Sequence, residues 1–365
     1  MAAMMTAFLL LAIGTVALGS TDENKGSKIP TIEVKEVVDQ GIADFSGIVP
    51  KVLKTNCDLA CVENQMKQVL HSGLVDDLYS YETMHENGSV TLTKVNVRIS
   101  TTEYPSKEPN EASRQKREVY GFDTRFVLTN QEYLSQPPFN SVVKLSTGCT
   151  GTLIGQKYVL TAAQCVHDGV TYVKGAKNLR IGFRRERESE GPPVKEDDSF
   201  YWIRGTEINV AQGWKKRQGL NVEAGYDYAV IRLKRPHDKD FMDIGVSNPD
   251  LIYPGQRLHF SAYDDDNSTD LLYRFCPISD DNKDMVYHFC DSKPSGIGAG
   301  VYVREWGSEF REFKRKIIGV FNGHMWVDDG EGTGEYNVAV LITPLKYAQI
   351  CFWLEGDFSS CNGHI

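Results

Sequence analysis

Gly148-Cys149-Thr150-Gly151-Thr152-Leu153-Ile154, a short turn, and then Tyr158-Val159-Leu160-Thr161-Ala162-Ala163-Gln164-Cys165 decide how this chain folds. Apolar residues run into a second cysteine through two small alanines, which reads as a strand, a turn, a second strand and a tight corner. Outward from there, β-rich runs separated by Gly, Asn and Asp recur: Val142 to Leu145, Leu179 to Phe183, Phe200 to Trp202, Tyr228 to Leu233, Arg257 to Phe260, Val301 to Val303, Lys316 to Phe321 and Tyr336 to Ile342. That density predicts an all-β barrel architecture, with room after Arg117 for a pair of small antiparallel barrels sharing a cleft. The end differs, because Pro344 can open a helix through Leu345, Tyr347, Ala348, Ile350 and Cys351.

Charge narrows the function. With 40 Lys+Arg against 49 Asp+Glu the formal net charge is −9, which argues against a general nucleic-acid or anionic-membrane binder, although local basic runs keep their own meaning. Residues 1–19 hold the apolar run Ala7 to Ile13 followed by small residues, the pattern of a secretory signal peptide. No later segment reaches the roughly 18 apolar residues of a membrane span. Eight cysteines, an even number, suit an oxidising compartment, where the sequons at Asn87 and Asn267 are usable.

Residues 20–117 read as a small mixed pro-region. Thr21 to Asn56 is polar and is expected to be extended or loosely folded. Apolar residues at three- and four-residue spacing between Asp58 and Tyr79 predict an amphipathic helix or helical hairpin, and Val95, Val97 and Ile99 alternate as in a half-buried strand. Cys57 and Cys61 are read as staples of this region with their pairing open, since a regular helix does not give two such residues disulfide geometry. A Pro- and Ser-containing linker then ends in Arg114-Gln115-Lys116-Arg117. Spaced positive charges on an extended segment are what a furin-like convertase reads, so a cut after Arg117 is expected, leaving residues 118–365 as the main domain. The run Arg184 to Asp198 alternates charge sign closely and reads as a solvated insertion loop.

The opening stretch resembles the corner that carries the general-base histidine in chymotrypsin-like (trypsin-family) serine proteases, whose signature is T-A-A-H-C. Phe122 to Phe126, Val143 to Cys149, Tyr226 to Ala229 and Asn337 to Cys351 extend the resemblance to a secreted vertebrate branch of that family over everything from Val119 onward. The resemblance implies two antiparallel β-barrels of the six-stranded type with a C-terminal helix. It also implies a triad of histidine, aspartate and serine, and this chain departs from it twice. Gln164 stands at the histidine position. In the aligned G-x-S-G-x-G-V-Y motif, here Ser295-Gly296-Ile297-Gly298-Ala299-Gly300-Val301-Tyr302, Ile297 stands at the serine position. Asp227 matches the aspartate, and the Gln164 amide can donate to it as an imidazole N–H would while supplying no base. Ile297 also places a β-branched side chain where a substrate carbonyl would sit, which is expected to occlude the oxyanion hole.

Cys149 and Cys165 match the family's disulfide beside the base; Cys276 with Cys290, and Cys351 with Cys361, pair by proximity in sequence. Two functions remain: a secreted pseudoprotease that uses its scaffold to bind an extracellular protein or peptide, or an active endopeptidase with a displaced triad built from His167 with Ser292 or Ser295. The first is preferred, because nucleophile and base must come within roughly 2.6 to 3.2 Å and a three-residue offset at a corner points a side chain elsewhere. The histidines are scattered, and Asp264-Asp265-Asp266 lacks the Gly and Glu of a calcium loop, so no metal and no cofactor are assigned.

Overall fold

A computed structural model describes residues 30–55, 61, 64–65, 73–98, 123–185, 199–215, 223–247, 252–264, 269–282, 284–307, 312–328 and 333–356. Six antiparallel strands close the first barrel. These are β6 (Val142–Leu145), β7 (Thr150–Gly155), β8 (Tyr158–Thr161), β9 (Arg180–Arg184), β10 (Phe200–Ala211) and β11 (Ala229–Leu233), paired in the order β10-β11-β8-β7-β6-β9 with β9 returning to β10. The second barrel follows the order β12-β15-β16-β17-β14-β13, closed by β12 on β13. Its strands are β12 (Arg257–Ala262), β13 (Leu272–Asp281), β14 (Met285–His288), β15 (Gly300–Gly307), β16 (Glu312–Asp328) and β17 (Thr333–Leu341). The short β5 (Phe126–Val127) lies outside β13.

The strand next to the site shows why sequence dictates placement. All of β7 from Thr150 to Ile154 is buried, since one face fills its own barrel and the other meets the second. Leu153, Val159, Leu160 and Ile231 are fully buried within it, and a single core cluster continues through Val301, Val320 and Val340 of the second barrel. Two short helices, α1 (Val75–Tyr79) and α2 (Gln131–Leu134), precede the longer α3 (Pro344–Glu355). Helix α3 starts on Pro344, is capped by Thr343 Oγ1 accepting from Lys346 N at 3.4 Å, and stops at Gly356 in the left-handed conformation.

The lead-in is folded into the first barrel's sheet. The polar stretch expected to be loose is a twelve-residue strand, β1 (Thr31–Ile42), which pairs with β4 (Ser89–Arg98). Strand β4 pairs with β3 (Tyr81–His85), and β3 adds to β10 with Met84 opposite Ile208, so one nine-stranded sheet runs from lead-in to barrel. Of the helix expected between Asp58 and Tyr79, the described part includes α1; Ile99, Cys57 and most of residues 56–72 lie outside the described residues. Gln349 of α3 locks the join, accepting from the Tyr228 hydroxyl and donating to the carbonyl of Tyr79. Ile32, Leu78, Tyr79, Met84 and Val95 belong to the same buried cluster as both barrels.

A second lead-in strand, β2 (Val52–Thr55), lies parallel to β16, with Val52 opposite His324 and Thr55 opposite Val327. Just before it, Gly47 bridges Val173 of the first barrel.

Candidate functional site

Strand β8 delivers Thr161 into a 3-10 turn, Ala163–Cys165, on which Gln164 is fully buried. Asp227 arrives from the other side, between a 3-10 turn at Glu223–Tyr226 and β11. The two meet twice: the Gln164 backbone N–H donates to Asp227 Oδ1 at 2.8 Å, and Gln164 Nε2 donates to Asp227 Oδ2 at 2.6 Å. Nε2 also donates to the carbonyl of Asn322 at 2.8 Å. Gln164 therefore spends both amide hydrogens on fixed acceptors, while its Oε1 is buried without a hydrogen-bond partner.

Asn322, on β16, completes the arrangement. Its Nδ2 donates to the Asp227 carbonyl at 2.7 Å and its Oδ1 accepts from Val340 N of β17 at 2.8 Å. One side chain thus joins the residue that opens β11 in the first barrel to two strands of the second. Burial pushes the Asp227 carboxyl up to about 7, against the hydrogen bonds from Gln164, Asn322 and Ala163 that favour its charged form.

Ile297 follows a 3-10 turn at Pro294–Gly296 and is fully buried. Its side chain fills the space over Gly323, where an added Cβ would lie 2.8 Å from Ile297 Cδ1 and Cγ1; with φ of +83°, Gly323 is both conformationally and sterically confined to glycine. Gly298 (φ +93°) is confined likewise, its missing Cβ position lying 2.1 Å from Thr161 Oγ1. The turn itself closes on its own carbonyls: Gly296 N donates to Lys293 O at 2.9 Å and Ile297 N to Pro294 O at 3.1 Å. The Ile297 amide that an oxyanion would need is already spent.

The candidates for a displaced triad are held apart. Ser292 Oγ donates to Asp264 Oδ2 at 3.0 Å and accepts from Arg274 Nη1 at 3.1 Å. Ser295 Oγ is buried with no partner. The His167 ring is occupied within its own turn, Nδ1 accepting from Gly169 N at 3.0 Å, and burial pushes it down to about 4. Among the described residues no hydrogen bond joins a histidine to Ser292 or Ser295. The loop carrying them is anchored by Asp264, which is fully buried against Arg274 in a two-point ion pair and also accepts from Lys293 N. Thr124, near the start of the described segment 123–185, ties that segment to the same loop, donating from N and Oγ1 to Asp291 Oδ2 at 2.8 and 2.7 Å.

Disulfides join Cys149 to Cys165 and Cys276 to Cys290, and Cys61 and Cys351 are also disulfide-bonded. Cys57, Cys361, Asn267 and the basic run with Arg114, Lys116 and Arg117 lie outside the described residues. Asn87 is exposed in the turn between β3 and β4, its Oδ1 accepting from Ser89 N at 2.9 Å. The donor atoms of Cys276, His288 and Cys290 lie within 4.8 Å of one another, but the two sulfurs are bonded to each other and supply no thiolate. Asp264 is committed to Arg274, so the acidic triplet offers no free first carboxylate.

Comparison with known proteins accounts for this architecture. Trypsin is the family description that matches residues 126–273. Bovine serine protease 23 is 40% identical over 97% of this chain and 96% of its own, and the human protein 39% identical over the same shares. The chain belongs to the trypsin family. Bovine inactive serine protease 35 is 35% identical over 99% of this chain and 100% of its own. A solved Glu endopeptidase covers 66% of this chain and 100% of that one, at 18% identity and a TM-score of 0.48.

Within this trypsin-family chain, the structure brings Gln164, Asp227 and Ile297 to one place and adds Asn322 and Gly323, which the sequence reading passed over. One sign was available: a lone amide beside glycine in the otherwise apolar run Ile317 to Phe321 marks a buried polar group that must find partners. Among the described residues no helix is long and apolar enough to cross a membrane.

Proposed function

We propose that this protein is a secreted, non-catalytic trypsin-family homologue that works as an extracellular binding or regulatory protein for a protein or peptide partner. The observation that carries the reading is the Gln164 amide bridged between Asp227 and the Asn322 carbonyl, with Ile297 packed in the serine position. A glutamine amide cannot take a hydroxyl proton, and isoleucine has none to give. Loss of either partner of such a pair costs about as much as loss of the whole unit, roughly a millionfold in turnover. Here both are replaced.

In this reading residues 1–19 direct export, Asn87 and Asn267 carry glycans, and a furin-like convertase cuts after Arg117. The β16 edge beside the altered triad is already covered by β2, so a partner meets a cleft partly filled by the chain's own lead-in. A fluorophosphonate probe applied to the purified protein tests the proposal. No labelled serine is the expected result. Labelling of Ser292 or Ser295 that disappears on change to alanine would establish the displaced-triad endopeptidase instead.

A further inference from the structure

We infer that β2 is an autoinhibitory strap: the chain lays one strand of its lead-in over its own binding edge, and lifting that strand opens the edge to an extended peptide. This rests on the reading of the protein as a binding protein. Strands β15 and β17 flank β16 on opposite sides at Gly319 and Val320, since each of those residues is paired with both neighbours. Beyond Val320 the neighbours part. Strand β17 stays alongside as far as Asp328, whereas the ladder with β15 stops where Gly300 meets Val320. The side left open is the one β2 takes, from Val52 opposite His324 to Thr55 opposite Val327. Asn322, which holds the Asp227 carbonyl, and Gly323, which lies under Ile297, immediately precede that ladder. The strap therefore begins beside the altered triad.

The parts of the lead-in are held very differently. Strand β3 is paired on both sides, with β4 and with β10, and buries Tyr81, Glu82 and Met84. Strand β2 has four residues and, among the described residues, a single ladder; it runs parallel to β16, a pairing slightly weaker per residue than an antiparallel one. None of its residues is buried: Val52 and Lys54 are exposed, Leu53 and Thr55 half-buried. The chain just before it is pinned to the first barrel, where Gly47 N donates to Tyr172 O and Lys174 N donates to Gly47 O, both at 3.0 Å. A Cβ at Gly47 would lie 2.9 Å from Asp168 Oδ2 and from the carbonyls of Thr171 and Tyr172, so the backbone sits flush there. Residues 48–55 thus cross from a fixed point on the first barrel to a short ladder on the second, and β2 can lift while β1, β3 and β4 stay in place.

Strand β2 also shows what the opened edge takes. Leu53 lies opposite the buried Met325 and packs against the shared core, while Lys54, opposite Trp326, is exposed. The matching ligand is an extended peptide that pairs through its backbone and sets an aliphatic side chain, with no charge, opposite Met325. Because β2 competes from within the same chain, the affinity for such a peptide is reduced to the fraction of molecules whose edge is open.

Hydrogen exchange of the full-length protein, read by mass spectrometry of overlapping peptic fragments, tests the strap. The amides of β2 should exchange at least about tenfold faster than those of β3. Equal rates would mean that the lead-in opens only as a whole and would overturn the proposal. The opened edge is read by fluorescence anisotropy with a labelled synthetic peptide of residues 48–55. Leu53→Asp, which places a charge opposite Met325, should raise the protein's affinity for that peptide about tenfold over the unmodified chain. Joining Lys54→Cys to Trp326→Cys with a bifunctional maleimide should abolish binding; among the described residues no native cysteine is free to compete for the reagent. Equal affinity in all three proteins refutes the strap, as does equally tight binding of the same peptide with aspartate in place of its leucine. Should a variant fail to fold, the exchange rates of the unmodified protein decide the matter. Fluorophosphonate labelling is read separately: a labelled serine together with fast exchange in β2 would sink the binding-protein reading and leave the strap standing.

Discussion

Replacing Asp227 with asparagine removes a carboxyl that burial pushes up to about 7. In an unfolded chain an aspartate titrates near 3.9, so across roughly three pH units the folded protein holds a proton that the unfolded chain has released. The stability gained from burying the neutral acid is fully present below about pH 4. It falls as pH rises, because deprotonation favours the unfolded chain, and it is lost once pH has passed through 7. At about 1.36 kcal/mol per unit the total approaches ~4 kcal/mol by pH 8, an order-of-magnitude figure for a fully buried group. Asparagine titrates nowhere in this range. The unmodified protein should therefore lose about 4 kcal/mol relative to Asp227→Asn between pH 4 and pH 8. His167, His259 and His288, all pushed down by burial, act in the opposite sense but equally in both proteins, and cancel in the difference. Urea unfolding followed by tryptophan fluorescence at pH 4, 5.5, 7 and 8 gives that difference directly. A flat difference, or one that grows in favour of the unmodified protein as pH rises, refutes the reasoning; the latter is what a carboxylate held charged by its hydrogen bonds would produce.

Three further outcomes follow from the same geometry. Ile297→Ser empties a fully buried site and should cost about 2 to 5 kcal/mol in thermal or urea unfolding, with no fluorophosphonate labelling gained while Gln164 remains. Gln164→His should restore no peptide hydrolysis, and a single imidazole N–H replacing two amide hydrogens should lower stability by about 1 to 3 kcal/mol through whichever acceptor it abandons. Joint replacement of Cys149 and Cys165 by alanine opens a loop of sequence separation 16 and should lower unfolding stability by about 3 kcal/mol, without altering the absence of labelling.

The sequence showed the barrel strands where apolar residues are nearly continuous, as in β11, where every residue but Arg232 is buried. It also showed Gln164, Asp227 and Ile297, since each interrupts or continues a motif at a fixed spacing. Strand β1 was hidden for the opposite reason. Only Ile32 of its twelve residues is buried, and Lys35, Glu36 and Asp39 face solvent, so neither composition nor alternation announces it. Asn322 could be marked as a buried amide from its apolar surroundings, but what it joins could not be read, because its partners, Asp227 and Val340, come from other parts of the chain.

The addition of β3 to β10 has a kinetic consequence. Met84 must find Ile208 across more than a hundred intervening residues, and contacts of such separation form slowly because loop closure is paid before the pairing rewards it. While the chain is intact that search is intramolecular. Under the cut after Arg117 proposed above, the strands on either side would belong to different polypeptides, tied by the hydrogen bonds, burial and disulfides the finished fold supplies. Folding completed before the cut persists after it. Unfolding afterwards, with the disulfides reduced, turns a first-order return into a second-order encounter, whose rate falls with dilution, so at low concentration the processed protein is maintained by its unfolding barrier and not by reversible equilibrium.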